Sequence, residues 1–455
     1  MRRALLLTIS FLASDRLSAA DQTSAVPPII VEKIDIAAGA ATRSLSWREV
    51  SGLLPTGVID NQRALERRRE AEGRETIARS EWLPGMGTLL NHRRIDGAVQ
   101  ATLGDVERAH FSGDSLAESV RFEIDPLGTR FRGSSAEHVT EMARADEERV
   151  QQTVIRTAAD DYLELFRLRA LVRVGEGALA ESRALADLVN TRSDHGLALR
   201  ADALRASALR TRREAELSSA RAAYRLASIR LVALIGLDPS TIIEPSESEL
   251  AGLTPAAGDA LQVATEHRPD LHGASERVAA LEDAKRAQIW TDRLPHLSSE
   301  YQFGTLGHHF ATDQQSRQSF TLGLRWSFLD AFGRTAAARE VVADAQLRDA
   351  RLALDDVRRR VAVQVFTAIQ QIDEAALRNR LAREENAAAE EAQSISDVRF
   401  RNGLGLLVDQ LQQLEALERS RTAIVESVVA YDRAQLDLLL ATGTLDASAV
   451  EEAFR

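Results

Sequence analysis

One plan used twice constrains this chain more than anything else in it. The run Arg192-Ser-Asp-His-Gly196-Leu197, with Asp202 beyond it, returns as Arg399-Phe-Arg-Asn-Gly403-Leu404, with Asp409 beyond it, every matched position displaced by 207 residues. The same displacement carries Gly236, which ends a run from Leu231, onto Gly443, which ends a run from Leu438. Leu83-Pro84 is answered by Leu294-Pro295 at 211, and Asp125-Pro-Leu-Gly128 by Asp330-Ala-Phe-Gly333 at 205. Landmarks repeated in one order make the chain a supersecondary unit built twice.

Each half reads helix, two strands, long helix, short turn, helix. In the second half Leu347, Leu354, Val361, Ala368 and Ala375 lie seven apart, as do Leu417, Ile424, Tyr431 and Leu438. That spacing keeps one apolar seam against a partner helix. Residues 333 to about 395 contain no proline and no glycine after Gly333, so a helix of roughly 90 Å is expected there. In the first half, helices are expected at about 58 to 81, 137 to 191 and 200 to 236, as if two short helices stacked end to end beside the long one. Only 25 glycines and 10 prolines in 455 residues, with 5% aromatics, agree with long helices rather than an α/β enzyme.

Such helices alone would equally suit a coiled-coil rod; the strands separate the two. Residues 319 to 328 alternate strictly, with Phe320, Leu322, Leu324, Trp326 and Phe328 on one face and Ser319, Thr321, Gly323, Arg325 and Ser327 on the other. Apolar outside and polar inside over about ten residues is the pattern of a transmembrane barrel strand, so the first set is expected to face lipid. Leu116, Val120, Phe122 and Ile124 repeat the pattern, with Glu118 on the apolar face, and Tyr301, Phe303 and Thr305 form a third strand. A fourth, near Leu83 to Arg94, is inferred mainly from the repeat. Residues 95 to 114 and 307 to 317 are expected as external loops.

The N-terminus reads as an export signal over residues 1–20: Arg2 and Arg3, an apolar run from Ala4 to Ala13, then Ser18-Ala19-Ala20. Losing it takes the net charge from −11 to −13, since Arg2, Arg3, Arg16 and Asp15 go with it. An acidic exported chain is a poor nucleic-acid binder. The absence of cysteine excludes disulfides, thiolate metal sites and a lipidated cysteine. Beyond the signal, no run approaches the roughly 20 apolar residues of a membrane helix, so any crossing is by strands. The expected organisation is a periplasmic segment at 21–57, a first repeat at 58–250 and a second at 251–455.

Four strands cannot close a barrel, and lipid does not solvate an open sheet edge. Several chains must therefore share one barrel: two give eight strands with a filled interior, and three give twelve with room for a lumen. A non-conducting periplasmic coiled-coil scaffold or adaptor is the rival reading, and it leaves the alternating strands unexplained.

Over nearly all of the mature chain these features resemble the TolC-like outer-membrane efflux family. The matching stretches are His267-Arg-Pro-Asp-Leu271 before a helix, Leu294-Pro-His-Leu297 entering a strand, the turn Arg399 to Asp409, and Tyr431 to Gly443. The resemblance implies a homotrimer, mainly α, whose long helical barrel continues a twelve-stranded outer-membrane β-barrel. It implies an exit duct for small molecules or polypeptides, in a tripartite efflux or type I secretion system with a periplasmic adaptor and an inner-membrane pump. The two turns would form the periplasmic end, with Gly196, Leu197, Gly403 and Leu404 meeting the adaptor.

The resemblance also places the gate. Asp409 matches an aspartate ringing the entrance, and Asp202 an acidic position on the first hairpin. Gln412 stands where the family carries a second entrance aspartate, Phe400 where it carries a tyrosine and Gly405 where it carries an arginine, so rearranged ionic contacts are expected, with Arg192, Arg200, Arg205 and Arg401 close by along the chain. No catalytic constellation, phosphate loop, metal motif or cofactor site is read; His308 and His309 fall in an expected loop, and the chain is not expected to be an enzyme.

Overall fold

The computed structural model describes residues 42–100, 104–246, 260–307, 314–326 and 333–453. The expected signal segment, Phe328, His308 and His309 lie outside these residues. The first half contains β1 (Thr42–Leu45), α1 (Trp47–Gly57), α2 (Ile59–Ser80), β2 (Gly85–Gln100), β3 (Val106–Ile124), α3 (Pro126–Asp194), α4 (Arg200–Ile235) and β4 (Ile242–Pro245). The second contains α5 (Ala260–His267), α6 (Pro269–Arg293), β5 (His296–Gly307), β6 (Gln315–Arg325), α7 (Arg334–Arg401), α8 (Leu407–Thr442) and α9 (Ala447–Ala453).

Two helices dominate: α3 has 69 residues and α7 has 68, about 100 Å each at 1.5 Å per residue. α3 begins at residue 126 rather than near 137. Asp125 caps it, accepting from the Gly128 amide at 2.7 Å, and Pro126 occupies the first turn, where its missing N–H costs nothing. The weak helix formers Gly133, Ser134 and Ser135 then stay helical because the segment packs on α6, with Ser135 Oγ donating to the Ala280 carbonyl at 2.8 Å.

α2 and α4 lie along successive parts of α3. Arg68–Glu147 and Arg79–Glu137, both 3.1 Å, join α2 to its N-terminal part, and Arg221–Glu176 at 2.7 Å joins α4 further along. α6 and α8 repeat the arrangement, with His138–Glu276 at 2.7 Å and Arg433–Asp160 at 2.6 Å. α7 then packs on α6 and α8 through the expected seam, where Leu347, Val361, Ala368 and Ala375 are buried. Exposed ion pairs of this kind contribute at most about 1 kcal/mol each. The apolar seams hold the helices together.

Midway along α3 sits the largest core, which the sequence reading did not foresee. The parallel pair β1–β4 aligns Thr42 with Ile242 through Leu45 with Pro245. Trp47, Tyr162, Leu165, Leu231, Ile243 and Leu436 are buried around it. Trp47 Nε1 donates to the Ala447 carbonyl at 3.1 Å, and Tyr162 Oη donates to the Leu45 carbonyl at 2.8 Å. Residues near both ends of the chain thus meet at the long helices' waist.

The other sheet has strand order β2-β3-β5-β6, antiparallel throughout. Met86, Val120, Tyr301 and Phe320 align across it, as do Ile124, Leu297 and Leu324. Their face is apolar and uncovered: Phe320 is 66% exposed, Leu322 65%, Leu324 69% and Trp326 43%. From Leu116 to Ile124 the band measures about 27 Å along β3, close to the apolar belt of a membrane barrel. Glu118, the charge on this face, accepts a hydrogen bond from Thr88 Oγ1 at 2.7 Å. The opposite face is ion-paired, with Arg121–Glu300 at 2.9 Å and Arg325 against Glu123.

The expected loop 95–114 is corrected: β2 runs on to Gln100 and β3 starts at Val106. Cross-strand pairs support the extension, with His92 on Asp114 at 2.5 Å and His110 on Asp96 at 2.6 Å. The large apolar residues of the extension, Ile95, Val99, Val106 and Phe111, are too few and too irregularly spaced for hydrophobic alternation to reveal it.

Candidate functional site

At the tip of each helical hairpin the chain turns in the same way. Gly196 has φ +73° and Gly403 φ +76°, a left-handed conformation that glycine reaches without steric cost. His195 N donates to Thr191 O, Gly196 N to Ser193 O and Leu197 N to Arg192 O; displaced by 207 residues, Asn402 N donates to Val398 O, Gly403 N to Phe400 O and Leu404 N to Arg399 O. The duplicated motif has folded twice into one helix-ending turn. Each turn projects two leucines into solvent: Leu197 is 77% exposed and Leu404 74%, with Leu199 and Leu406 both at 70%. The sequence reading named Leu197 and Leu404 and missed Leu199 and Leu406, whose exposure depends on the turn's path.

Below the tips the two hairpins share a core of Leu185, Val189, Ala206, Leu209, Phe400, Leu407 and Leu414. Of the gate residues, Phe400 is buried in that core, whereas Asp409 and Gln412 lie exposed on α8. Asp202 pairs with Arg205 on its own helix at 3.2 Å. Asp409 has no ion-pair partner among the described residues. Gln410, between the two outward positions, is buried and accepts from Ser396 Oγ at 2.8 Å. At Gly405 a side chain would stand 3.1 Å from the Phe400 amide nitrogen, so this turn has no room for an arginine without adjustment.

The polar contacts between hairpins are carried by other residues. Arg192 Nη1 donates to the Phe400 carbonyl at 3.2 Å and Nη2 to the Arg401 carbonyl at 2.8 Å, while its guanidinium lies 5.2 Å from the centre of the Phe400 ring. One cation from the first hairpin thus satisfies carbonyls ending the long helix of the second. Further up, Arg212 meets Glu415 and buried Arg213 meets Glu418. Burial raises the Glu418 carboxyl above its usual range although Arg213 pulls it down. Of the expected substitutes, Arg192 alone bridges hairpins by a hydrogen bond; Arg205 and Arg401 pair within their own helices, the latter with Asp397 at 2.8 Å. No spacing rule announces the Arg212 and Arg213 pairs, since their partners lie some 200 residues away.

The profile of the outer membrane efflux protein family matches residues 62–237 and 260–444. The chain belongs to that family. Membership places the protein in the outer membrane, with a long periplasmic helical portion. The chain is 26% identical over 260 residues to the pyoverdine export outer membrane protein OpmQ of Pseudomonas putida, and it spans about half the length of that relative, 54% of each being aligned. Its fold matches the outer-membrane channel OprN with a TM-score of 0.78 at 19% identity, covering 91% of this chain and 96% of that one. VceC of Vibrio cholerae matches at 0.76 and 18%, over 87% and 96%.

Within this family fold Arg192 has a testable role. Arg192→Ala leaves two helix-terminal carbonyls without their cationic donor, and hydrogen bonds to charged groups are worth about 1.5–3 kcal/mol. Hydrogen exchange of the amides from Val398 to Leu406 should rise by roughly tenfold or more while that of the waist core stays unchanged. Equal protection at the tip would show that Arg192 holds nothing.

Proposed function

We propose that three copies of this chain close into a twelve-stranded barrel continued by a helical cylinder, forming the exit duct of an export system. The observation that carries this reading is the four-stranded sheet: one face apolar and uncovered, the other ion-paired, and β2 and β6 left as open edges. Those edges need strands from neighbours before lipid can surround them. α7 supports the same assembly, since Leu352, Val363, Phe366, Leu377 and Leu381 form a second apolar stripe facing away from its own chain. A neighbour's α2 and α4, with exposed Ile59, Ile77, Leu204 and Leu226, supplies a surface to cover it.

The exposed leucines of the two tips suit docking by a periplasmic adaptor, with an inner-membrane pump loading the duct. The name of OpmQ speaks of pyoverdine export, so a small organic molecule is the cargo class we assign. Outer-membrane extraction should yield a heat-modifiable trimer that conducts in planar bilayers. A monomer confined to the periplasmic fraction would refute the duct.

Asp409, exposed and unpaired near the tip, gives the entrance its acid in this reading. Three such carboxylates close together attract cations. Asp409→Lys should shift the reversal potential away from cation preference and relieve block by hexamminecobalt added from the periplasmic side. Unchanged currents in both measurements would remove Asp409 from the gate.

A further inference from the structure

We propose that the barrel segment of this duct carries an excess of unpaired arginine, so that its cargo on leaving is a small anion bearing carboxylate or similar oxyanion groups. The inference rests on reading the ion-paired face of the sheet as the lumen. In β2, β3 and β6 the odd-numbered positions and in β5 the even-numbered positions point to that face, by the observed register. Two of its arginines are neutralised, Arg121 by Glu300 at 2.9 Å and Arg325 by Glu123. Arg93 and Arg317, both exposed, meet no carboxylate among the described residues.

Assembly does not supply the missing acids. Arg93 lies on β2 and Arg317 on β6, the two edges that must join between copies. Odd-numbered positions of β2 from Gly85 to Ile95, and of β6 from Gln315 to Arg325, include no acidic residue. Closing the barrel therefore sets an uncompensated edge beside another uncompensated edge. Their cross-strand neighbours are also small: Gly113 stands opposite Arg93, and Gly304 opposite Arg317. A Cβ at Gly304 would come within 2.0 Å of the Leu116 carbonyl oxygen, so no side chain can cover Arg317 from that position.

Two free guanidiniums per chain make six in a trimer, inside walls of low dielectric that focus their field. The lumen-facing positions carry four arginines, Arg93, Arg121, Arg317 and Arg325, against Glu107, Glu123 and Glu300, a net +1 per chain where the chain as a whole has −11. Guanidinium groups bind oxyanions through paired hydrogen bonds, strongly enough to concentrate them but exposed enough to release them.

The test uses full-chain trimers in planar bilayers, with inorganic tripolyphosphate as the anionic probe on the extracellular side and hexamminecobalt on the periplasmic side. The wild type should be blocked by tripolyphosphate. The double variant Arg93→Gln, Arg317→Gln should need about tenfold more for the same block, the change expected when one charge-assisted contact is lost. Lysines at both positions should restore the block, and the cobalt response should not move. An unchanged tripolyphosphate response in the glutamine variant overturns the proposal while leaving the duct intact. A wild-type channel that conducts without any block does the same, even if the variant fails to assemble. No conductance from assembled wild-type trimers overturns the duct reading and this inference with it.

Discussion

Leu322→Arg should abolish accumulation of the heat-modifiable trimer in the outer membrane, whereas Thr321→Arg, one residue away, should leave it nearly intact. Leu322 is 65% exposed beside Ser299 on the uncovered apolar face, while Thr321 points to the ion-paired face. A lipid-facing arginine near the bilayer midplane costs about 2–4 kcal/mol. Threefold symmetry repeats the cost in every chain, so the penalty reaches roughly 6–12 kcal/mol, comparable with the whole stability of many domains. Assembly of Leu322→Arg equal to that of Thr321→Arg would mean that this face does not meet lipid.

Asp432→Asn should flatten the pH dependence of folding stability between about pH 4 and 7. Asp432 is 7% exposed on α8 between Val429 and Leu436 of the waist core, and its Oδ2 has no hydrogen-bond partner among the described residues. Burial pushes its carboxyl from 3.8 up to about 7. The folded protein thus holds this proton more tightly than the unfolded chain. The resulting stability is fully present below about pH 3.8 and is lost as pH rises through 7. A shift of about three units corresponds to about 4 kcal/mol. The asparagine variant should therefore gain most over the wild type at pH 8 and least at pH 4, measured by denaturant midpoints at each pH. Parallel pH curves would show that Asp432 is solvated or paired.

Much of the plan was legible because it is periodic or duplicated. Spacing by seven located the α7 seam, alternation located β6 and its apolar side, and the displacement of 207 matched Gly196 to Gly403, turns that share three hydrogen bonds. The waist was not legible. β1 and β4 have four residues each, too few for a period, and they meet where Tyr162 of α3 holds Leu45 while Tyr224 and Ser228 of α4 hold Ile243. At the tips, the family resemblance could nominate Asp409 and Phe400 without saying that one faces solvent and the other is buried.

By itself the sequence determined what repeats: which residues form helices, which face of a strand is apolar, and where glycine turns the chain. These follow from interactions over a few residues, whose energies are set by local spacing. Tertiary structure alone decided the pairings between the two halves, including Arg192 on the ends of α7, Arg213 on Glu418 and the uncompensated Arg93 and Arg317 at the sheet edges. Charge–charge contacts carry no sequence period, so their partners are chosen only when packing and strand register bring distant segments within a few ångströms.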